Sequence, residues 1–322
     1  MLQYKPSSFR MWSRLGPSGA LNAAAMELPA IDERVVFVTA DLCFFSGLER
    51  FAQKYPDKIF NVGIAEQNLI GFASGMYAEG LRPFVTTYAT FASLRAAEQI
   101  KVNMAYMQRG VKVIGLTAGF AAGILGATHM ALEDIAAIRA MPGIIVVDPA
   151  DCTEMVKAIT AAAFIEAPMY IRFTGPINCP QVYSEDYFFE IGKAIRLRMG
   201  TDVEIVACGS MVYRAIRAAE LLEQRGISCG VTNMHTVNPL DTAYLDALKS
   251  PIVTVEEHCI RGGLGAAVCE YLSATGDKSV LRIGVDGVYP HAGNYEDLLE
   301  ESGLTENQIA ERIERELTRR KL

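Results

Sequence analysis

Short β-branched runs alternate with longer amphipathic stretches along this chain, and few folds accommodate that rhythm. Val35 to Thr39, Pro83 to Thr87, Val111 to Thr117, Ile144 to Asp148 and Met169 to Phe173 are brief, apolar and bounded by turn residues. That is the pattern of strands buried on both faces. Between them, Glu66 to Glu79, Phe91 to Gln108 and Cys152 to Ile165 carry apolar residues at helical spacing. The alternation requires right-handed crossovers, hence a mostly parallel sheet with helices on both faces.

After Arg172 the rhythm breaks. Thr174 to Gly200 is irregular and rich in Gly, Pro, Asn and Tyr, and it ends in a predicted hairpin around Ile191 to Arg198. A second series follows, with strands predicted at Val203 to Cys208, Ser228 to Asn233, Ile252 to Glu256 and Val280 to Val285, and a charged helix from Glu306. The 322 residues exceed one comfortable core, and 51% hydrophobic content fills two. The expectation is an α/β chain of two domains, residues 1–175 and 201–322, joined by a linker at 176–200.

Charge excludes several functions. A formal net charge of -7 leaves no basic surplus for a phosphate backbone or an anionic membrane, so neither nucleic acid nor membrane is an expected partner. Lys5, Arg10 and Arg14 interrupt the start of the chain, which lacks the apolar stretch of a signal peptide, and a cytoplasmic location is expected. Seven cysteines form no CxxC pair and four histidines no ligand spacing, so no metal site is expected on this chain alone.

Three turns carry the chemistry. In Asn61 to Asn68 a short strand turns into a helix whose first turn presents Glu66. Such a residue also complements a helix dipole, so alone it proves little. In Thr86 to Phe91 an aromatic ring stands at the mouth of the next strand-to-helix turn, able to stack on a heteroaromatic ligand or to serve the core. In Gly123 to His129 a histidine follows a glycine-bearing loop, placed either to donate to a substrate oxygen or to bond locally. All three turns follow strands of one parallel sheet, and such loops open on one edge.

As an ordered set, Ala40-Asp41-Leu42, Phe60 to Asn68, Thr90-Phe91, Gly126-Ala127-Thr128-His129, Val253 to His258 and Gly262 to Gly265 resemble the second half of transketolase. The likeness runs from about Leu15 to Leu322 and is nearest to separately encoded carboxy-terminal transketolase subunits. It implies a pyrimidine-binding domain followed by a transketolase C-terminal domain, with thiamine diphosphate as cofactor. Glu66 then matches the glutamate that hydrogen-bonds the aminopyrimidine nitrogen, Phe91 the ring that stacks on it, Leu42 a residue on its other side, and Asp41 a cofactor contact. His129 matches the histidine that binds the ketose hydroxyl and oxyanion.

The resemblance also exposes gaps. No GDG motif precedes a distant Asn: Gly276-Asp277-Lys278 reads as a surface turn and Val285-Asp286-Gly287 ends a strand. A partner chain is therefore expected to hold Mg and the diphosphate, in an α2β2 heterotetramer. Leu125 stands where transketolases carry a donor-reading aspartate, and Met130 where a glutamine is frequent. Of the phosphate-gripping positions, Arg14 and Arg172 match basic residues, whereas Thr117 and Phe45 replace a histidine and a serine. These changes point to a transketolase subunit with a non-standard ketose donor. Deoxyxylulose phosphate synthase, the β chain of 2-oxo acid dehydrogenases and a non-catalytic regulatory paralogue are the alternatives.

Overall fold

The computed structural model describes residues 2–275 and 279–321, so the Gly276-Asp277-Lys278 turn lies outside the described residues. In chain order the strands of the first half are β1 (Val35–Thr39), β2 (Ile59–Asn61), β3 (Arg82–Tyr88), β4 (Lys112–Leu116), β5 (Ile145–Val147) and β6 (Met169–Arg172). Those of the second are β7 (Ile195–Arg198), β8 (Val203–Ala207), β9 (Cys229–Asn233), β10 (Thr236–Asn238), β11 (Ile252–Cys259) and β12 (Val280–Val285). They form a seven-stranded sheet, β10-β5-β6-β4-β3-β1-β2, and a five-stranded sheet, β12-β11-β8-β9-β7. Each is parallel except at one edge, where β10 runs against β5 and β7 against β9.

Every residue of β1 and β4 is buried, as strands sandwiched between helices must be. Alternate side chains serve opposite layers. Phe37, Phe84, Ile114 and Ile171 meet the helices Pro6–Ala25 and Cys152–Ala162 on one face. Val38, Val85 and Val113 meet Leu69 and Ile70 of the helix Glu66–Ala78 on the other, in a core that continues into the second half through Val206, Met234 and Val268. Among the described residues no helix is long and apolar enough to cross a membrane.

Three features depart from the sequence reading. The predicted hairpin at 191–198 is instead the edge strand β7, whose partner β9 lies a full helix later, because the intervening Met211–Gln224 helix carries the chain over the sheet. Strand β10, absent from the sequence reading, leaves the second half and caps the first sheet. The opening segment forms the helix Pro6–Ala25, broken at Gly16, where φ is +74° and a Cβ would lie 3.1 Å from the Ile177 backbone. Only glycine accepts both conditions at low cost.

One cation ties the halves together. Arg172, at the end of β6, is 0% exposed; its Nε donates to Asp134 Oδ2 at 2.8 Å and its Nη1 to Asp148 Oδ2 at 3.4 Å. Its Nη2 donates to the carbonyls of Ala131 and Glu257, each at 2.9 Å. Burial pushes Asp148 up to about 6, against the pull of Arg172, and pushes neighbouring Glu256 up to about 7. The expectation that Arg172 clamps a substrate phosphate is thereby corrected: its donors are spent inside the protein. Removing one member of such a cluster strands the others without compensation. Arg172→Ala is accordingly expected to lower stability by roughly 3–5 kcal/mol, read from urea unfolding. A normal unfolding midpoint with a raised KM for phosphorylated substrates would restore the phosphate role.

Candidate active site

In the first sheet β1 lies between β2 and β3, so the chain steps outward from β1 to β2 and then crosses back over β1 to β3, reversing direction. Loops part at such a switch point and leave a crevice beyond the carboxyl ends of the strands. The turns after β1, β2, β3 and β4 all reach this edge, and they carry Asp41 and Leu42, Glu66, Phe91, and Thr117 to His129 respectively.

Glu66 opens its helix and is 3% exposed. Its Oε1 accepts from Arg95 Nη1 at 2.8 Å, and the Arg95 guanidinium lies 4.0 Å from the centroid of the Phe91 ring. Arg95 reaches both because the turn Phe91–Arg95 is a widened π-type turn, closed by Ala96 N–H donating to Phe91 O at 3.2 Å. Such turns recur at functional sites. A planar, nitrogen-bearing cation thus lies on an aromatic face while donating to a buried carboxylate. The same acid and ring fit an aminopyrimidine, which needs a hydrogen-bond partner for a ring nitrogen and a face to stack on.

The ring of His129 lies 5.2 Å from Phe91 and 5.5 Å from Tyr88, edge-on to both, and Tyr88 lies 5.1 Å from Phe45. His129 Nδ1 is 3.0 Å from Thr128 Oγ1. The turn of Asp41 is pinned by Asn61, whose Oδ1 accepts from the N–H groups of Asp41 and Gly63 and whose Nδ2 donates to Asp41 Oδ1, all at 2.9 Å. Leu42 follows, half-buried, its N–H donating to Thr39 Oγ1 at 3.0 Å. Leu125 ends the short turn Gly123–Leu125 and is 51% exposed. Thr117, at a φ of +52°, donates its hydroxyl to the Leu116 carbonyl at 2.8 Å, and Arg14 is exposed on the first helix.

The second half supports this edge from behind. Glu257 of β11 accepts from Phe120 N–H at 2.6 Å and from the hydroxyls of Ser210 and Tyr295. Gly119 makes room for it, since a Cβ there, at a φ of +62°, would sit 2.1 Å from the Glu257 carboxylate. Glu66, Phe91 and His129 therefore converge, while Arg172 is withdrawn from the edge. Tyr88 and Arg95 escaped the sequence reading as site residues. The available signal was the four-residue spacing of Phe91 and Arg95, which lets side chains meet on one helix face.

Comparison with known proteins fits this geometry. Residues 17–176 match the family model of the transketolase pyrimidine binding domain, and residues 192–309 that of the transketolase C-terminal domain. A putative transketolase C-terminal section of Methanocaldococcus jannaschii is 38% identical over 91% of this chain and 93% of its own. A 6-deoxy-6-sulfo-D-fructose transketolase subunit of Clostridium sp. is 38% identical over 92% of each chain. A solved split-gene transketolase, described as an inactive β4 tetramer, superimposes with a TM-score of 0.85 at 37% identity, covering 94% of this chain and 98% of that one.

The chain belongs to the transketolase family, whose members depend on thiamine diphosphate. It is of the kind that forms the C-terminal subunit of a two-subunit transferase.

Tyr88 is the contact shared by Phe45, Phe91 and His129. Tyr88→Ala is expected to cut turnover by roughly 10²-fold through loss of positioning, with cofactor affinity nearly unchanged, whereas Tyr88→Phe keeps the ring and stays near native. Steady-state kinetics alongside calorimetric cofactor titration of the two-chain enzyme separate these effects.

Proposed function

We propose that this chain holds the aminopyrimidine of thiamine diphosphate and that its partner holds the diphosphate and Mg in an α2β2 assembly. The pair moves a two-carbon ketol unit from a ketose to an aldose. The observation that carries this reading is the Glu66–Arg95–Phe91 stack, in which one planar cation already satisfies the acid and the ring together. Thiamine diphosphate, when bound, supplies the acidic ring carbon on which ketose carbon–carbon cleavage depends.

This chain's residues then have separate tasks. Glu66 would share a proton with the pyrimidine nitrogen, Phe91 would stack on the ring, and Leu42 and Asp41 would bound it from the β1 turn. Arg95, half-exposed where it covers Glu66 and Phe91, would have to give up that place to the ring. His129 donates to the ketose oxygen where negative charge develops, and the loop carrying it keeps water from the reacting carbon. The seven free cysteines suit action in the cytoplasm.

The donor is non-standard. Leu125 presents a half-exposed aliphatic side chain where a hydroxyl-reading aspartate would stand, and a site without that acceptor favours a donor lacking or masking the hydroxyl. The Clostridium relative, whose name specifies a 6-deoxy-6-sulfo ketose, supports variety of donors among such subunits.

Coexpression with the partner, in thiamine diphosphate and Mg, tests the assignment. Glu66→Ala is expected to abolish ketol transfer while leaving the unfolding transition nearly intact. Retained turnover in that variant, or turnover by this chain alone, would sink it. Leu125→Asp is expected to shift preference toward xylulose 5-phosphate, and full-rate use of that sugar by the native pair rules out the non-standard donor.

A further inference from the structure

Past the aromatic side chains the site opens into a cavity of about 370 Å³, within the range of small-molecule sites. Its walls include Phe44 and Phe45 after β1, Leu116 and Thr117 at the end of β4, and Pro176 and Ile177 beyond β6. Phe45 belongs to both spaces, since its ring also lies 5.1 Å from Tyr88, which touches His129. The chamber therefore begins where the reacting end of a substrate would stop.

Its chemistry is one-sided. Among the described residues that line it, none carries a formal charge. The two arginines expected to grip phosphate are elsewhere: Arg172 is sealed in the ion-pair cluster, and Arg14 is not part of the wall. The polar side chains of the wall are the hydroxyls of Ser18 and Thr117, the latter donating to the Leu116 carbonyl. Phe44 and Ile177 at the wall are 79% and 69% exposed, a large apolar surface waiting for cover. A phosphate placed here would surrender its hydration with no cation of this chain's wall in exchange, a cost that a neutral hydrocarbon group does not meet.

We propose that the acceptor is an aldehyde whose far end is uncharged and apolar, aliphatic or aromatic, rather than a sugar phosphate. The proposal rests on the ketol-transfer reading and specifies its second substrate. The donor's bond between the carbonyl carbon and the adjacent carbinol carbon breaks, and a new bond joins that carbonyl carbon to the acceptor's aldehyde carbon. A proton passes from the donor's carbinol hydroxyl, which becomes the released aldehyde, to the acceptor's oxygen, so no oxidant or reductant is needed.

The test is a panel of acceptors with the reconstituted two-chain enzyme, thiamine diphosphate, Mg and hydroxypyruvate as ketol donor, from which carbon dioxide leaves in place of the aldehyde and water supplies the proton to the acceptor's oxygen. Hexanal and benzaldehyde are expected to exceed ribose 5-phosphate and glyceraldehyde 3-phosphate by at least tenfold in kcat/KM, and the reverse order overturns the proposal. Phe45→Arg is expected to move the ratio at least tenfold toward the phosphorylated aldehydes. Arg14→Gln is expected to leave that ratio within about twofold; a selective tenfold loss on the phosphorylated acceptors would overturn the proposal by making Arg14 their clamp. Calorimetric titration of the same complex with 1-hexanol and with phenyl phosphate separates the chamber from the reaction. If no acceptor turns over while 1-hexanol binds and phenyl phosphate does not, the transferase reading fails and the apolar chamber stands. Binding of phenyl phosphate alone removes the chamber whatever the activity.

Discussion

A guanidinium removed from water at the junction of the two sheets sets the terms for the rest of the molecule. Arg172 draws Asp134, which begins the helix after the His129 loop, and Asp148, which follows β5, and it draws the backbone of β11 through the Glu257 carbonyl. Buried ion pairs seldom add net stability, because desolvation offsets attraction, but they reject arrangements in which a partner is missing. Here the rejected arrangements are those in which the second sheet slides relative to the first. Glu257 then passes this registration to the loop that bears the histidine by accepting from Phe120 N–H. The second half, with no obvious ligand residue of its own, acts on the site by fixing where that loop stands.

The crevice has a chemical division of labour. At one end a buried carboxylate, an aromatic face and an edge-on histidine offer recognition of a planar nitrogen heterocycle next to a polar reacting centre. At the other, Phe44, Phe45, Leu116 and Ile177 stand beside the hydroxyls of Ser18 and Thr117, with no charged side chain among the described residues of the wall. Under the proposed reading, the chain keeps the family's means of handling its cofactor and departs from it where the substrate is read. This is the pattern expected when the chemistry is retained and specificity is changed by a few pocket side chains.

Much of this was legible from residue order. Val35–Thr39 and Val280–Val285 have the bounds predicted for them, because a short run rich in β-branched and aliphatic residues between turn residues has few alternatives. Glu66 and His129 were located by the turns that follow strands, a consequence of parallel topology. What stayed hidden depends on distant partners. Thr236–Asn238 is too short to announce itself and becomes a strand only because β5 offers an edge. Arg172 reads as a surface cation until the second sheet closes over it. Arg95 looks like an ordinary helix residue until the widened turn folds it back over Phe91.

The strand Thr236–Asn238 also bears on how such a chain is put together. It crosses from the later half to complete the earlier sheet by pairing with β5, only two residues after β9 has ended in the other sheet. The two halves are thus interlaced rather than strung together. A genetic exchange that grafted a foreign second half onto this pyrimidine-side sheet would have to bring a matching edge strand with it, or leave unpaired amide and carbonyl groups along β5. Shuffling by whole subunits meets no such demand, which makes the gap between polypeptides a freer place for this lineage to recombine than the gap between its sheets.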